Sequence, residues 1–432
     1  MTIAAMTPQT ILTGTPKARS NVMNFLNEIA QRHPQAISFA SGRPAERFFR
    51  LGEWAQAATL FFEHHARRLG VTSEAALQHL AQYGPTSGIA REEIAKQLRI
   101  DHGVPCVPDR VVVTAGCQEA MALCIVALCS SPGRVLLVRN PTYIGATGVA
   151  DAAGIPVVPI AQADGEPLDS ALKQTIANLA AQGITPGALY LIPDFDNPTG
   201  DVLSRELRQR IIEVSAHHRI AILEDNPYGM FRFDGAPVPS MAQLDSHGCV
   251  IHLGTYSKTM FPTIRVGSAA FPETLFGDFD SSTRLIEEVV RRKSFLTVNT
   301  SQYCQAVVAG VLHQSGFTLA DHVREPASFY RTNRDVMIEA LQEGFRGYEE
   351  RVSWSCPEGG FFLTLKLPFE FGDAELEACA ASHRVLAMPM RYFAIDDSHR
   401  DMVRLAYSNV DPDAVREGIG RFCTFAISKL RE

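Results

Sequence analysis

What is scarce in this chain rules out several classes of protein. No apolar run approaches the roughly 20 residues needed to cross a hydrocarbon core about 30 Å thick, the longest being stretches such as Leu123 to Cys129, so no membrane span is expected. Met1 to Thr15 carries no basic stretch followed by an apolar core. No export signal is therefore read there, and a cytoplasmic location is expected. Basic charge is not in surplus: 40 Lys and Arg stand against 47 Asp and Glu, a formal net charge of −7. The cations are scattered, and no field for holding a nucleic-acid backbone results. The nine cysteines are odd in number and form no C-x-x-C pair, which argues against a disulfide framework or a zinc site. The doublets His64-His65 and His217-His218 fall in helix-like stretches, where sequence neighbours point in different directions and cannot chelate one ion together. No metal is expected, and no repeat or low-complexity linker is visible.

What is present is the composition of a globular protein, 46% hydrophobic and 20% charged. At 432 residues the chain exceeds a single core. The expected division is an N-terminal arm and part of a small domain over 1–50, a large domain over 51–300 and a small C-terminal domain over 301–432. From Asp109 to Phe271, short β-branched runs alternate with amphipathic stretches, the pattern of a mainly parallel sheet with helices on both faces. The expected strands are Arg110 to Thr114, Arg134 to Val138, Pro156 to Ile160, Ala188 to Ile192, Ala221 to Glu224, Val250 to Leu253 and Val266 to Phe271. Helical spacing marks Gln118 to Cys129, Ile144 to Ala153 and Ser204 to His217. Beyond Val298, helices over Gln302 to His313 and Pro326 to Phe345 precede strands over Phe361 to Leu367 and Met402 to Ala406, a second α+β domain. Val22, Phe25, Leu26 and Ile29 recur at i, i+3, i+4 spacing and predict a helical arm.

In an open α/β sheet, ligands bind beyond the carboxyl ends of the strands, and here those ends carry an unusual set of side chains. Thr114-Ala115-Gly116-Cys117-Gln118-Glu119 opens a helix whose free N–H groups suit a phosphate. Asn140-Pro141-Thr142-Tyr143 offers a ring for stacking, and Asn197-Pro198-Thr199-Gly200 an amide. Glu224-Asp225-Asn226-Pro227-Tyr228-Gly229 puts carboxylates at the end of a buried strand, where they need a cationic or donor partner. Thr255-Tyr256-Ser257-Lys258, with Arg265 seven residues later, provides an amine nucleophile and an anion clamp. Each segment alone reads equally well as a turn or as packing. Jointly, a phosphate turn, a ring, an amide, a carboxylate and a lysine at five strand ends point to one site.

In order and spacing, N-P-T-Y, N-P-T-G, E-D-x-P-Y-G and S-K-x6-R resemble the class I/II aminotransferases, fold type I enzymes dependent on pyridoxal 5′-phosphate (PLP), over roughly Ile37 to Val410. The string Glu224 to Gly229 is especially similar to the branch of aminoadipate and kynurenine aminotransferases and MocR-type regulators. The resemblance implies a fold type I PLP transferase, a seven-stranded sheet plus a smaller α+β domain. It makes Lys258 the residue that forms a Schiff base with PLP and shuttles the substrate proton, and Asp225 the partner of the pyridine nitrogen. Glu224 is expected to point the other way. Asn197 and Tyr228 would face the phenolic oxygen, and Tyr143 would stack on the ring. Gly116, Cys117, Gln118, Thr255, Ser257 and Arg265 would hold the phosphate. Tyr83 would complete that cup from a second subunit, implying a homodimer with shared active sites. Arg404 would grip the substrate carboxylate, near the loop holding Gly42 and Arg43.

Some residues depart from the family pattern. Cys117 replaces a hydroxyl residue, Arg139 an acidic one and Asp196 a glutamine; Pro262-Thr263 replaces Pro-Gly, and Ser41 replaces a glycine. The implied activity is transfer of an amino group from an L-amino acid to a 2-oxo acid. Elimination, replacement or cyclisation on the same scaffold is the alternative. A PLP-sensing regulator would need a winged helix-turn-helix in front of a domain that only about 36 residues precede here.

Overall fold

The computed structural model describes residues 28–431 except 30 and 164. Val22, Phe25 and Leu26 of the expected arm lie outside the described residues, whereas Ile29 is buried in the core. The first strand, β1 (Ile37–Ser38), pairs in parallel with a late one, as described below. The main sheet follows: β2 (Val111–Thr114), β3 (Arg134–Val138), β4 (Val157–Pro159), β5 (Thr185–Leu191), β6 (Ala221–Asp225), β7 (Val250–Thr255) and β8 (Gly267–Ala270). Its seven strands run in the order β2-β8-β7-β6-β5-β3-β4, with β8 antiparallel to both neighbours and the other pairs parallel. This is the doubly wound α/β sheet expected, one strand for each predicted run.

The sheet is sandwiched because its strands are apolar on both sides. Val112, Leu136, Val138, Ala188 and Leu223 pack into one core with the helices Cys117–Cys129 and Ile144–Ala152. Their neighbours Val111, Val113, Leu137, Leu189 and Ile222 pack into another with the helices Leu51–Leu69, Arg91–His102 and Arg205–His217. The period of two along a strand decides which residue faces which core. β5 begins at Thr185, three residues before the expected start, and so takes in Pro186 and Gly187. The Thr-Pro-Gly string reads as a turn in sequence. In the fold a register irregularity opposite it, between Val135 and Leu136, accommodates it. A Cβ at Gly187 would come within 2.4 Å of the Leu128 carbonyl, so only glycine lets the neighbouring helix approach that closely.

The second domain is built on β9 (Ser353–Trp354), β10 (Phe362–Lys366), β11 (Val385–Leu386), β12 (Met388–Pro389) and β13 (Met402–Ala406). A four-stranded antiparallel sheet runs β12-β13-β10-β9, and β11 pairs with β1. The long helix Ala320–Gly344 starts six residues before the expected Pro326 and carries that proline internally. Proline is a favoured first-turn residue, but the buried Leu319 and Val323 extend the helix towards its N-terminus. The helix Gln302–Gln314 lies past the 300/301 boundary expected for the small domain. Its Ala306, Val308, Ala309 and Leu312 nevertheless pack with Val113 and Phe61 in the core of the main sheet.

One buried ion pair pins the segment after β5. Arg208, fully buried, donates to both carboxylate oxygens of Asp194 (2.7 and 3.0 Å) and to the carbonyls of Pro193, Leu203 and Pro239. Removing Arg208 takes both close donors from a buried carboxylate and leaves it, among the described residues, only Arg232, 3.6 Å away. Arg208→Ala is expected to lose about 3–5 kcal/mol of stability, read as a lower urea midpoint; an unchanged midpoint would show the pair to be energetically idle.

Candidate active site

Five strand ends converge on a cavity of about 820 Å³ between the main sheet and the small domain. After β2, Gly116 caps the helix Cys117–Cys129 with φ 80°. Any Cβ there would lie 2.3 Å from Nη2 of Arg265, so the glycine lets the guanidinium rest on the helix N-terminus. Arg265 donates to the Ala115 carbonyl (2.8 Å) and to Oγ of Ser257 (3.3 Å). It does so from a left-handed backbone, φ 48°, directly after the 3-10 turn Pro262–Ile264. Such a conformation in a non-glycine residue persists only where surrounding contacts enforce it. The positive pole of the helix, free N–H groups and the guanidinium together form an anion cup.

Lys258 follows β7 and reaches across to the small-domain side, donating to the carbonyl of Gly42 (3.0 Å). Burial, aided by the nearby Arg404, lowers its amine to about 8 despite the opposing pull of Asp225. A Cβ on Gly42 would come within 2.2 Å of the Phe362 ring, which fixes glycine at this position.

Asp225 ends β6 and is buried. Its Oδ2 accepts from Tyr190 Oη at 2.6 Å and its Oδ1 from Cys117 Sγ at 3.1 Å. Burial raises its carboxyl pKa, while those two donors and Lys258 oppose the rise. The Cys117 thiol is therefore turned to Asp225, leaving its backbone N–H at the helix start. Glu224 points to the opposite face of the sheet, as expected, and accepts from the Met241 and Ala242 amides (2.6 and 2.9 Å). Burial lifts its carboxyl to about 7.

Arg404, on β13, donates to Oδ1 of Asn197 (2.6 Å) and to the Ala40 carbonyl (2.5 Å). The rings of Phe362 and Phe393 flank its guanidinium at 4.3 and 4.7 Å. Burial lowers its pKa to about 10, and its Nε is buried without a partner among the described residues. Tyr228 and Tyr143 lie beside it, both with phenols pushed up by burial. Tyr143 Oη donates to Gln118 Oε1 at 3.4 Å.

The cavity thus brings together Lys258, Asp225, Tyr228, Tyr143, Asn197 and Arg404, and with them Gly42, Cys117, Gln118, Thr255, Ser257 and Arg265. Gly116 borders it beneath Arg265. Tyr83 is apart from it: 80% exposed, it lines a separate cavity of about 610 Å³. Arg43 stands at the rim. The departures Arg139 and Asp196 do not line the cavity. They form one unit beneath the N-P-T-G turn, 3.9 Å apart, with Arg139 also bonded to Asp201 (2.9 Å) and Asp196 accepting from Thr199 (3.0 Å). Sequence reasoning missed Tyr190, whose only signal was a phenol inside an aliphatic strand. It also missed Phe362, Met388 and Phe393, small-domain wall residues with no local motif.

The chain belongs to the family described as aminotransferase class I and II, whose pattern matches residues 34–422. It is 36% identical over 414 residues to (S)-3,5-dihydroxyphenylglycine transaminase of Amycolatopsis orientalis, covering 95% of this chain and 92% of the relative. Among solved structures, multiple substrate aminotransferase from Thermococcus profundus superposes with TM-score 0.83 at 25% identity, covering 99% of this chain and 98% of that one. Pyrococcus horikoshii kynurenine aminotransferase, solved with PMP, gives 0.82 at 26% identity over 99% and 98% of the two chains. The protein is a PLP-dependent aminotransferase of fold type I, and these likenesses favour transamination over elimination or cyclisation.

Proposed function

We propose that the protein transfers the amino group of an L-amino acid with an aromatic or bulky apolar side chain to a 2-oxo acid, with Lys258 as the residue that holds the cofactor covalently. The residues fit PLP on their own chemistry. The buried carboxylate of Asp225 calls for a cation, which a protonated pyridine nitrogen supplies. The cup at Gly116, Cys117, Gln118, Thr255, Ser257 and Arg265 suits a phosphate, and Tyr143, Asn197 and Tyr228 line the space between. When bound, PLP supplies an aldehyde that accepts the amino group and a ring that draws electrons from the substrate α carbon.

The remaining steps belong to the chain. Arg404, with an unpartnered buried Nε and a pKa depressed by burial, gains a compensating charge when a substrate carboxylate docks. Lys258 Nζ, half deprotonated around pH 8, can take the α proton and return it. Tyr83, exposed and away from its own chain's cavity, suits a role in the site of a second copy, giving a homodimer; a cytoplasmic location is part of the same reading.

The observation that carries the substrate class is the cavity wall. Ile37, Ile144, Leu386, Met388 and Phe393 give it an apolar lining, with Ser38, Ser41, Arg43 and Asn409 as polar groups among them. The dihydroxyphenylglycine transaminase, by its name, acts on an aryl-bearing amino acid, which is consistent with such a wall. The test is the visible spectrum of PLP-loaded enzyme mixed with single L-amino acids and no oxo acid. Aromatic donors are expected to convert the cofactor to its pyridoxamine form in one turnover. Conversion by aspartate or glutamate but by no aromatic donor would overturn the substrate class. An unbleached band with accumulating product would overturn the reaction.

A further inference from the structure

On the face of the main sheet that carries the helices Leu51–Leu69, Arg91–His102 and Gln302–Gln314, one side chain from each helix meets at a point: His64, Glu93 and His313. One ligand-type atom from each lies within 4.8 Å of the other two. His313 Nε2 stands 3.3 Å from Glu93 Oε1, and the two imidazole rings are 4.4 Å apart. None of these residues lines the Lys258 cavity.

Glu93 is the informative member. It is 1% exposed, and its Oε2 has no hydrogen-bond partner among the described residues. Nδ1 of His64 is likewise buried and unpartnered. A buried carboxylate whose contact is a single imidazole is poorly compensated, since a buried charge ordinarily has a counter-charge or a full set of donors. Arg68, on the same helix as His64, does not supply it. Arg68 is turned to Glu92 (3.7 Å) and donates to Nδ1 of His65 (2.9 Å). What the cluster offers instead is two imidazoles and a carboxylate facing one another, a donor set suited to a transition metal.

We propose that His64, Glu93 and His313 form a binding site for a divalent transition-metal ion, with Zn²⁺ as the probe, that ties these three helices together. In tetrahedral zinc, ligand bonds of about 2.0–2.1 Å place neighbouring ligand atoms roughly 3.4 Å apart, and the Glu93 to His313 separation of 3.3 Å already meets that. His64 and His313 are only partly buried, which leaves His64 room to turn inward and a fourth position for water. The sequence pattern hid this site because its ligands are far apart in the chain. The doublet His64-His65 splits as helix geometry demands, His65 turning to Arg68 and His64 to the crossing helices. The helix Gln302–Gln314 also positions the Tyr83 segment, since Gln302 Nε2 donates to the Leu80 carbonyl (3.1 Å) and to that of Gln82. A metal fastening that helix would steady the segment as well.

The experiment uses PLP-loaded full-length protein, freed of excess cofactor, treated with chelator, desalted and titrated with zinc chloride by calorimetry, with metal content measured on the product. One Zn²⁺ per chain is expected, with a Tm raised by a few degrees. His64→Ala and His313→Ala should each weaken binding at least tenfold and abolish the Tm rise, while the visible absorbance of bound cofactor stays at the wild-type level and reports an intact fold. Should His313→Ala fail to fold, Glu93→Gln, which keeps the shape of the side chain, and His64→Ala at its partly buried position decide the matter. Absence of binding by the wild type overturns the proposal. So does undiminished binding in the variants, because the metal then sits elsewhere, for example on thiols. The cofactor absorbance is a control here, so failure of the proposed amino donor would leave this test unaffected.

Discussion

Lys258→Ala is expected to lower the half-reaction with an amino-acid donor by about 10⁴-fold, the upper end of what a positioned proton-transfer group contributes. Borohydride should then no longer fix the cofactor to the chain, whereas in wild type the label maps to the peptide holding Lys258. A primary amine such as methylamine, added to the variant, should restore part of the rate, because the missing function is a basic nitrogen. A merely structural loss would not be rescued. The lowered amine gives a second readout. Its folded pKa is about 8, brought down from the ordinary lysine value first by burial and then by Arg404. Only the neutral amine is nucleophilic, so cofactor capture by apoenzyme should quicken about tenfold per pH unit below pH 8 and level off above it. A capture rate still climbing near pH 10 would mean that burial does not depress this lysine, and wild-type turnover in the variant would remove Lys258 from the mechanism.

Much of this was legible in the sequence because the chemistry sits at strand ends, where order along the chain maps directly onto position at the cleft. The apolar runs located all seven sheet strands, and the residues after β2, β3, β5, β6 and β7 meet in one cavity. The orientation of Glu224 against Asp225 follows from strand alternation alone, and the amides of Met241 and Ala242 occupy the side it turns to. What the sequence hid depends on pairing between segments. Thr185-Pro186-Gly187 extends a strand only because the neighbouring strand shifts register opposite it. Arg139 and Asp196 read as two separate departures, yet they form one pair under the Asn197 turn. The helix Gln302–Gln314 follows the expected domain boundary but is claimed by the core of the main sheet, since its apolar face meets Val113 and Phe61. The phenyl rings over Arg404 come from segments that no local spacing connects to it.

Tyr190 turns one of those hidden contacts into a graded test of how Asp225 works. The carboxylate is buried, and burial favours its protonated form. Tyr190 and Cys117 oppose that by donating one hydrogen bond to each oxygen, which favours the ionised carboxylate that the proposed pairing with a protonated ring nitrogen requires. Asp225→Asn removes the charge and turns an amide N–H towards one of two existing donors. The half-reaction should fall about 10²–10³-fold, the size of loss seen when one preorganised electrostatic partner is taken from a buried site. Cofactor should also dissociate more readily. Tyr190→Phe leaves the charge and removes one donor to it, a bond to an ionised group worth about 1.5–3 kcal/mol, and so should slow the same step by roughly 10–10²-fold. In that variant the Asp225 carboxyl rises further, so the acid limb of the pH–rate profile should move to higher pH, a displacement that loss of packing alone would not give. If Tyr190→Phe matches wild type in both rate and acid limb, the phenol only fills space. If Asp225→Asn stays within tenfold of wild type, the step does not depend on a negative charge at Asp225.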